Sequence, residues 1–141
     1  MKILNKITKE TILVTGTNGF VGKALVNRLS MESFFINAIT RKSINSGLVK
    51  NPGHINIFFI DDLVNDDLPA EVWNNITTVV HLAAKVHQPS KDTIDDLKEY
   101  YKINTQMTTR LAKQAIKKKV KVFIFMSSIK VNGDYTKTNE F

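Results

Sequence analysis

The sequence predicts an α/β fold: a doubly wound parallel sheet of about five strands in the order 3-2-1-4-5, incomplete on its C-terminal side. Three observations predict it. Short apolar runs alternate with segments of helical spacing, hairpin turn signals between the runs are few, and a glycine triplet follows the first run directly. Parallel strands need a crossover connection between each pair, so this alternation favours a parallel sheet with helices on both faces. The crossovers are expected to be right-handed.

Thr11–Thr15 (TILVT) is a short apolar run stopped by glycine, after which Val21, Ala24, Leu25 and Leu29 recur at the spacing of a helix face. Phe34–Thr40 (FFINAIT) is apolar and rich in β-formers, which gives strand, helix, strand. Between Arg41 and His54, Asn45-Ser46-Gly47 and Asn51-Pro52-Gly53 carry turn chemistry, and Ile55–Ile60 (INIFFI) reads as the third strand. A loop or short helix runs through Trp73, whose indole is expected under the sheet. Ile76–Ala83 (ITTVVHLA) reads as the fourth strand. Leu97, Tyr100, Tyr101, Asn104, Met107, Thr108, Leu111 and Ala115 mark one face of a long helix, and Val120–Met126 (VKVFIFM) makes the fifth strand. An interior parallel strand explains Phe58 and Phe59 better than a base-stacking surface does.

The reversal of strand order beside the first strand leaves a crevice at the carboxyl ends of the strands, where ligands of such sheets bind. The fifth strand is apolar at nearly every position, yet only the short, polar Ser127–Phe141 follows it. A continuation of the chain or a partner would have to cover it. The chain is therefore expected to be the N-terminal part of a longer protein.

With 141 residues and 43% apolar side chains, residues 1–141 suffice for one domain with a core and not for two ordinary ones. The absence of cysteine excludes a disulfide framework, a thiolate metal site and a thiol nucleophile. Met1–Thr11 lacks the unbroken apolar stretch of a signal peptide, and no window reaches the length needed to span a bilayer. A soluble, cytoplasmic protein without a membrane partner is expected. The net charge of +7 raises nucleic acid as a partner, but the basic residues are scattered except for Lys117, Lys118, Lys119 and Lys121. Those fall where a helix should end, and cations favour the negative end of the helix dipole. No nucleic-acid partner is expected. His54, His81 and His87 lack the spacing of a metal pair and read as strand-end and surface residues, so no metal site is expected.

The candidate site starts at Thr15-Gly16-Thr17-Asn18-Gly19-Phe20-Val21-Gly22, between the first strand and the first helix. In a Rossmann-type turn, Gly16 lets the chain leave the strand sharply, Gly19 leaves no side chain where a pyrophosphate meets backbone N–H groups, and Gly22 lets helix and strand approach. Unpaired N–H groups and the dipole at the helix start favour such an anion.

Thr-Gly-x-x-Gly-x-x-Gly resembles the cofactor motif of the short-chain dehydrogenases, particularly the extended branch that contains nucleotide-sugar epimerases and dehydratases. His81-Leu82-Ala83-Ala84 is similar to that branch's motif after strand four, and Asp61-Asp62-Leu63 to its adenine-contacting segment after strand three. Met126-Ser127-Ser128-Ile129-Lys130-Val131-Asn132-Gly133 is similar to its segment after strand five, so the likeness runs from about Thr11 to Asp134. The resemblance implies NAD or NADP as cofactor and a nucleotide sugar as substrate, in an intact enzyme that is a homodimer.

It also implies roles. Asp62, next to Asp61, would accept a hydrogen bond from the adenine amino group, and the backbone at Leu63 would meet the ring edge. Without a ligand the two aspartates read as a polar strand end. Leu82, Ala83, Ala84 and Lys85 would line the ribose and pyrophosphate. Asn104 either holds backbone near the site or is a structural amide that must find partners. Ser128 matches the catalytic serine, whose hydroxyl would bond the reacting sugar oxygen and help place a tyrosine; Ser127 is the alternative alignment. Met126 and Ile129 would face the nicotinamide.

The sequence departs from the pattern twice. The second strand ends Thr40-Arg41-Lys42, without the carboxylate that usually binds the adenosine 2′-hydroxyl. These cations suit a 2′-phosphate, which favours NADP while leaving NAD open. The branch's chemistry also needs Tyr-x-x-x-Lys, in which lysine and cofactor lower the phenol pKa. Tyr100, Tyr101 and Tyr135 are followed four places on by Asn104, Thr105 and Asn139. Residues 1–141 alone are therefore expected to be inactive, with the tyrosine lying beyond Phe141. The intact protein is expected to be a nucleotide-sugar 4-epimerase of a surface-polysaccharide pathway, acting through a 4-keto sugar. A 4,6-dehydratase or 4-ketosugar reductase is the alternative within that chemistry, and a non-catalytic NAD(P)-binding regulatory module the alternative outside it.

Overall fold

The computed structural model describes residues 10–32, 34–41, 52–86, 94–128 and 131. Its five strands, β1 (Thr11–Thr15), β2 (Phe35–Thr40), β3 (Ile55–Phe59), β4 (Ile76–His81) and β5 (Val122–Phe125), pair in parallel in the order β3-β2-β1-β4-β5. This is the expected order. The strands are one or two residues shorter at some ends than the apolar runs, because Phe34, Ile60, Leu82 and Val120 lie outside the ladder and still pack on the core.

Alternate side chains of a strand point to opposite faces, and here they sort into two cores. Ile12, Val14, Ile36, Ala38 and Val80 meet Val26 of helix α1 (Phe20–Met31) on one face. Leu13, Ile39 and Val79 meet Val72 and Trp73 of a single tight turn (Ala70–Trp73) and Leu111 and Ala115 of α3 (Met107–Lys117) on the other. Trp73 lies in this second core, as expected. Between β2 and β3 the asparagines Asn37 and Asn56 stand in register; Asn56 Nδ2 donates to Asn37 Oδ1 at 3.0 Å, and Asn37 Nδ2 donates to the Val72 carbonyl at 2.9 Å. The buried Asn37 amide is thus satisfied, and it ties the sheet to the turn before β4.

Several expectations are corrected. The buried face of α1 is Gly22, Val26 and Ser30 with Leu25 and Leu29 half-buried, while Val21 and Ala24 are exposed. The close approach of Gly22 to the turn sets the phase, and a glycine adds nothing to a hydrophobic pattern. The long helix is interrupted: α2 (Ile94–Tyr100) passes into a π-helical stretch (Tyr101–Gln106) before α3. The C-terminal part packs on the sheet through Leu111 and Ala115, whereas Leu97 of α2 and Tyr101 of the π-helical stretch are exposed. β3 is an edge strand, with Phe58 packed on the core and Phe59 exposed. His81 ends β4, as expected, and is fully buried there.

α3 ends in basic residues, with Lys119 at φ 58°, the left-handed conformation that closes many helices. β5 forms the other edge, and its Val122, Ile124 and Phe125 are roughly half exposed. Among the described residues no helix is long and apolar enough to cross a membrane.

Candidate functional site

The site begins where β1 ends. Gly16 has φ +71°, and a Cβ there would lie 2.6 Å from Ala83 N and 2.7 Å from Leu82 C. Gly22 is equally constrained: its Cβ would lie 2.2 Å from the Gly16 carbonyl oxygen. Both glycines are required by the chain's own packing. Gly19 differs, since a Cβ there would meet only the Gly16 oxygen at 3.2 Å and its φ of −71° suits any residue.

Gly19 is the N-cap of α1, with no side-chain cap and no acidic residue in the first turn. The first intrahelical bond runs from Lys23 N to the Gly19 carbonyl at 3.0 Å. The amides of Phe20, Val21 and Gly22 precede it and have no intrahelical partner, so the positive end of the helix faces outward from the turn. Thr17 Oγ1 donates to the Ile39 carbonyl at 2.9 Å and Asn18 Nδ2 donates to Thr40 Oγ1 at 2.8 Å. These bonds fasten the glycine turn to the end of β2, which ends without a carboxylate.

The turn forms one wall of a cleft of about 800 Å³ at the carboxyl ends of the strands. That volume is of the size that holds a cofactor. Gly16, Thr17, Asn18 and Gly19 line it together with Arg41 after β2, Asp61, Asp62 and Leu63 after β3, and Leu82, Ala83, Ala84 and Lys85 after β4. The other predicted residues stand outside the lining. Phe20 is 95% exposed, Val21 lies on the outer side of α1, and Gly22 is buried under the turn. Met126, Ser127 and Ser128 are exposed past the end of β5. Ile129, Lys42 and His87 lie outside the described residues.

Asp62 organises the loop after β3. Its Oδ1 accepts from Val64 N at 2.8 Å and Asn65 N at 3.0 Å, and its Oδ2 accepts from Asn65 Nδ2 at 2.5 Å. The backbone bond from Asn65, followed by the Asn65 side chain and the Val64 amide, holds this carboxyl below its usual range. Arg110 of α3 anchors the same loop through Asp67 at 2.9 Å and the Val64 carbonyl at 3.1 Å.

Asn104 stands behind the cleft in the π-helical stretch and brackets the backbone of Lys85: Oδ1 accepts from Lys85 N at 2.7 Å and Nδ2 donates to Lys85 O at 2.9 Å. Lys85 Nζ donates to Glu99, lies 3.9 Å from Asp96 Oδ1, and sits 5.1 Å over the Tyr100 ring. The Glu99 hydrogen bond raises its pKa.

Sequence reasoning missed two parts of this site. Glu99, Lys102, Ile103 and Met107 line the cleft from the long helix, whose placement across the strand ends no local pattern reveals. It also missed the partners of His81, whose Nδ1 lies 2.6 Å from Thr15 Oγ1 and whose Nε2 lies 3.0 Å from Thr108 Oγ1. Burial lowers the His81 pKa to about 4, so the ring is neutral at ordinary pH. Among the described residues no group of three His, Asp or Glu side chains could hold a metal ion.

The chain is 41% identical over 130 residues to UDP-glucose 4-epimerase of Vibrio cholerae, covering 90% of this chain and 37% of the relative. Its fold matches the solved structure of MoeE5 in complex with UDP-glucose and NAD, with a TM-score of 0.72 at 28% identity over 93% of this chain and 41% of that one. It also matches UDP-N-acetylglucosamine 4-epimerase from Methanobrevibacter ruminantium M1, with a TM-score of 0.73 over 93% of this chain and 42% of that one; at 24% identity this is a likeness of fold. The chain thus spans well under half the length of these relatives. The family model of the NAD dependent epimerase/dehydratase family matches residues 12–141, and the chain belongs to that family.

Proposed function

We propose that the cleft binds NAD(P) and that the intact protein is a UDP-sugar 4-epimerase. The observation that carries this reading is Gly19: the fold crowds it far less than Gly16 or Gly22, with one backbone oxygen 3.2 Å from where a Cβ would lie, and it stands at a helix N-terminus with no side-chain cap. A diphosphate explains both features. The cleft volume and the likeness to an epimerase of Vibrio cholerae support the same reading.

In this reading residues 1–141 are the cofactor-binding domain, and most substrate-binding side chains belong to a part of the protein outside them. The amides of Phe20, Val21 and Gly22 hold the pyrophosphate, while the Gly19 amide stays with the Gly16 carbonyl at 3.0 Å and Thr17 and Asn18 shape the turn. Asp62 keeps acceptor capacity on Oδ2 for the adenine amino group beside Asp61 and Leu63. Leu82, Ala83, Ala84 and Lys85 form the wall beside the glycine turn, and Arg41 neutralises phosphate on the adenosine side, which favours NADP. The bound group supplies a reversible hydride acceptor, so that a 4-keto sugar can be returned in either configuration. Ser128 hydrogen-bonds the reacting sugar oxygen, flanked by Ser127, and Met126 closes the nicotinamide side.

General-base chemistry needs a tyrosine lowered in pKa by a lysine four places on, and none of the three tyrosines here has one. Residues 1–141 alone are thus inactive in this reading, and the intact enzyme is a cytoplasmic homodimer of polysaccharide synthesis. Incubating the intact protein with UDP-glucose and NAD or NADP should yield UDP-galactose, and Ser128→Ala should cut the rate by about two orders of magnitude. Binding of dinucleotide without conversion of any UDP-hexose would leave the regulatory-module alternative standing instead.

A further inference from the structure

His81 is fully buried at the end of β4 and stands outside the cleft lining, yet both of its ring nitrogens have partners, on two different elements. The direction of each bond follows from counting donors. Thr15 Oγ1 already accepts from the backbone amides of Leu82 at 3.3 Å and Ala83 at 3.2 Å, so its own proton goes to His81 and Nδ1 is the acceptor. A neutral ring then carries its single proton on Nε2 and donates it to Thr108 Oγ1. The Thr108 hydroxyl donates in turn to the Asn104 carbonyl at 2.8 Å.

The Asn104 side chain completes the path by bracketing Lys85. Donors and acceptors match head to tail from Thr15 to the Asn104 carbonyl, and the side chain of the same residue carries the link on to Lys85 in the cleft wall. The rings of Phe125 and Phe123, with centroids 5.8 Å and 6.3 Å from that of His81, pack beside it. Both bonds of the imidazole therefore lie in surroundings where an unpaired polar group is costly.

We infer that His81 is a positioning residue: as the Nε2–H tautomer it ties Thr15, beneath the glycine turn, to Thr108 and Asn104, and so sets where Lys85 stands in the cleft wall. Its effect on ligand affinity rests on the reading of the cleft as a dinucleotide site. The coupling of Thr15 to Lys85 does not.

Two measurements on this chain at neutral pH test it. Nitrogen-15 spectra of the imidazole should show His81 protonated on Nε2 and bare on Nδ1; the opposite tautomer overturns the inference. Thr108→Val keeps the side-chain shape and cuts the path in its middle. It should speed hydrogen exchange of the Lys85 amide about tenfold, the loss of one hydrogen bond, while Leu13 in β1 and Val79 in β4 keep their protection. Thr108→Ser should restore the Lys85 rate. Unchanged Lys85 exchange, or equal acceleration in β1 and β4, overturns the inference. Affinity for NAD, titrated in parallel, should fall about tenfold in Thr108→Val. Were the unaltered chain to bind no dinucleotide while the exchange result held, the cofactor reading would fail and the coupling would stand.

Discussion

A Cβ at Gly22 would lie 2.2 Å from the carbonyl oxygen of Gly16, and this contact between the helix and the turn before it fixes the geometry of the whole site. A Cβ at Gly19 would have one close neighbour, that same oxygen at 3.2 Å. The two glycines therefore fail in different ways when substituted. Gly22→Ala must displace backbone, which should cost about 3 kcal/mol or more and lower the urea midpoint sharply. Gly19→Ala should cost less than about 1 kcal/mol, as alanine does at an N-cap occupied by glycine. Its dinucleotide affinity should nevertheless fall at least about tenfold in a calorimetric titration. Equal loss of stability in both variants would remove the distinction.

Acid should weaken the fold through His81. Its folded pKa of about 4 lies below the ordinary value of 6.5, so between those values the unfolded chain binds a proton that the folded chain excludes. Its contribution to stability is whole above pH 6.5 and is lost as the pH falls toward 4, by about 3 kcal/mol in all. The groups packed on the ring, Thr15, Thr108, Phe123 and Phe125, do not titrate in this range and leave the sign unchanged. Urea midpoints of the chain and of His81→Gln at pH 7 and pH 4.5 should show the steeper decline in the unaltered chain; parallel declines would contradict the assignment.

Asn104→Asp tests the bracket on Lys85. An aspartate can still accept from Lys85 N but meets the Lys85 carbonyl with a lone pair in place of an N–H. It should loosen the loop more than Asn104→Ala, although it is the closer isostere. Lys85 amide exchange measured in both variants would show the reverse order if the bracket were mere space-filling.

Much of this fold was legible because it depends on short-range patterns. Thr11–Thr15 is buried at every position in the middle of the sheet, as an apolar run bounded by glycine should be. Strand order followed from the position of the glycine turn. The phase of α1 was not legible, since Gly22 reaches the interior through its lack of a side chain. Nor was the burial of His81, which depends on Thr15, 66 residues away, and Thr108, 27 residues away. The π-helical stretch escaped for a related reason: Asn104 there is tied to Lys85, a residue of another segment. Asp62 was read as an acceptor for the adenine amino group, and its three bonds within the loop it sits in depend on Val64 and Asn65, which no motif singled out.

Cofactor choice should turn on Arg41, which lines the cleft past a strand that ends in Thr40. Arg41→Ala should weaken NADP by about tenfold or more and NAD little, because a guanidinium gains most from a phosphate. A loss shared equally by both dinucleotides would assign Arg41 to the common part of the molecule.

The central claim is that backbone amides at the head of α1 hold a diphosphate, and amide chemical shifts read it residue by residue. Adding NAD to nitrogen-15-labelled chain should move the Phe20, Val21 and Gly22 amides in a saturable way, and Gly19→Ala should shift that titration to at least about tenfold higher NAD. Saturable binding that leaves those three amides in place, or no binding by the unaltered chain, would contradict it.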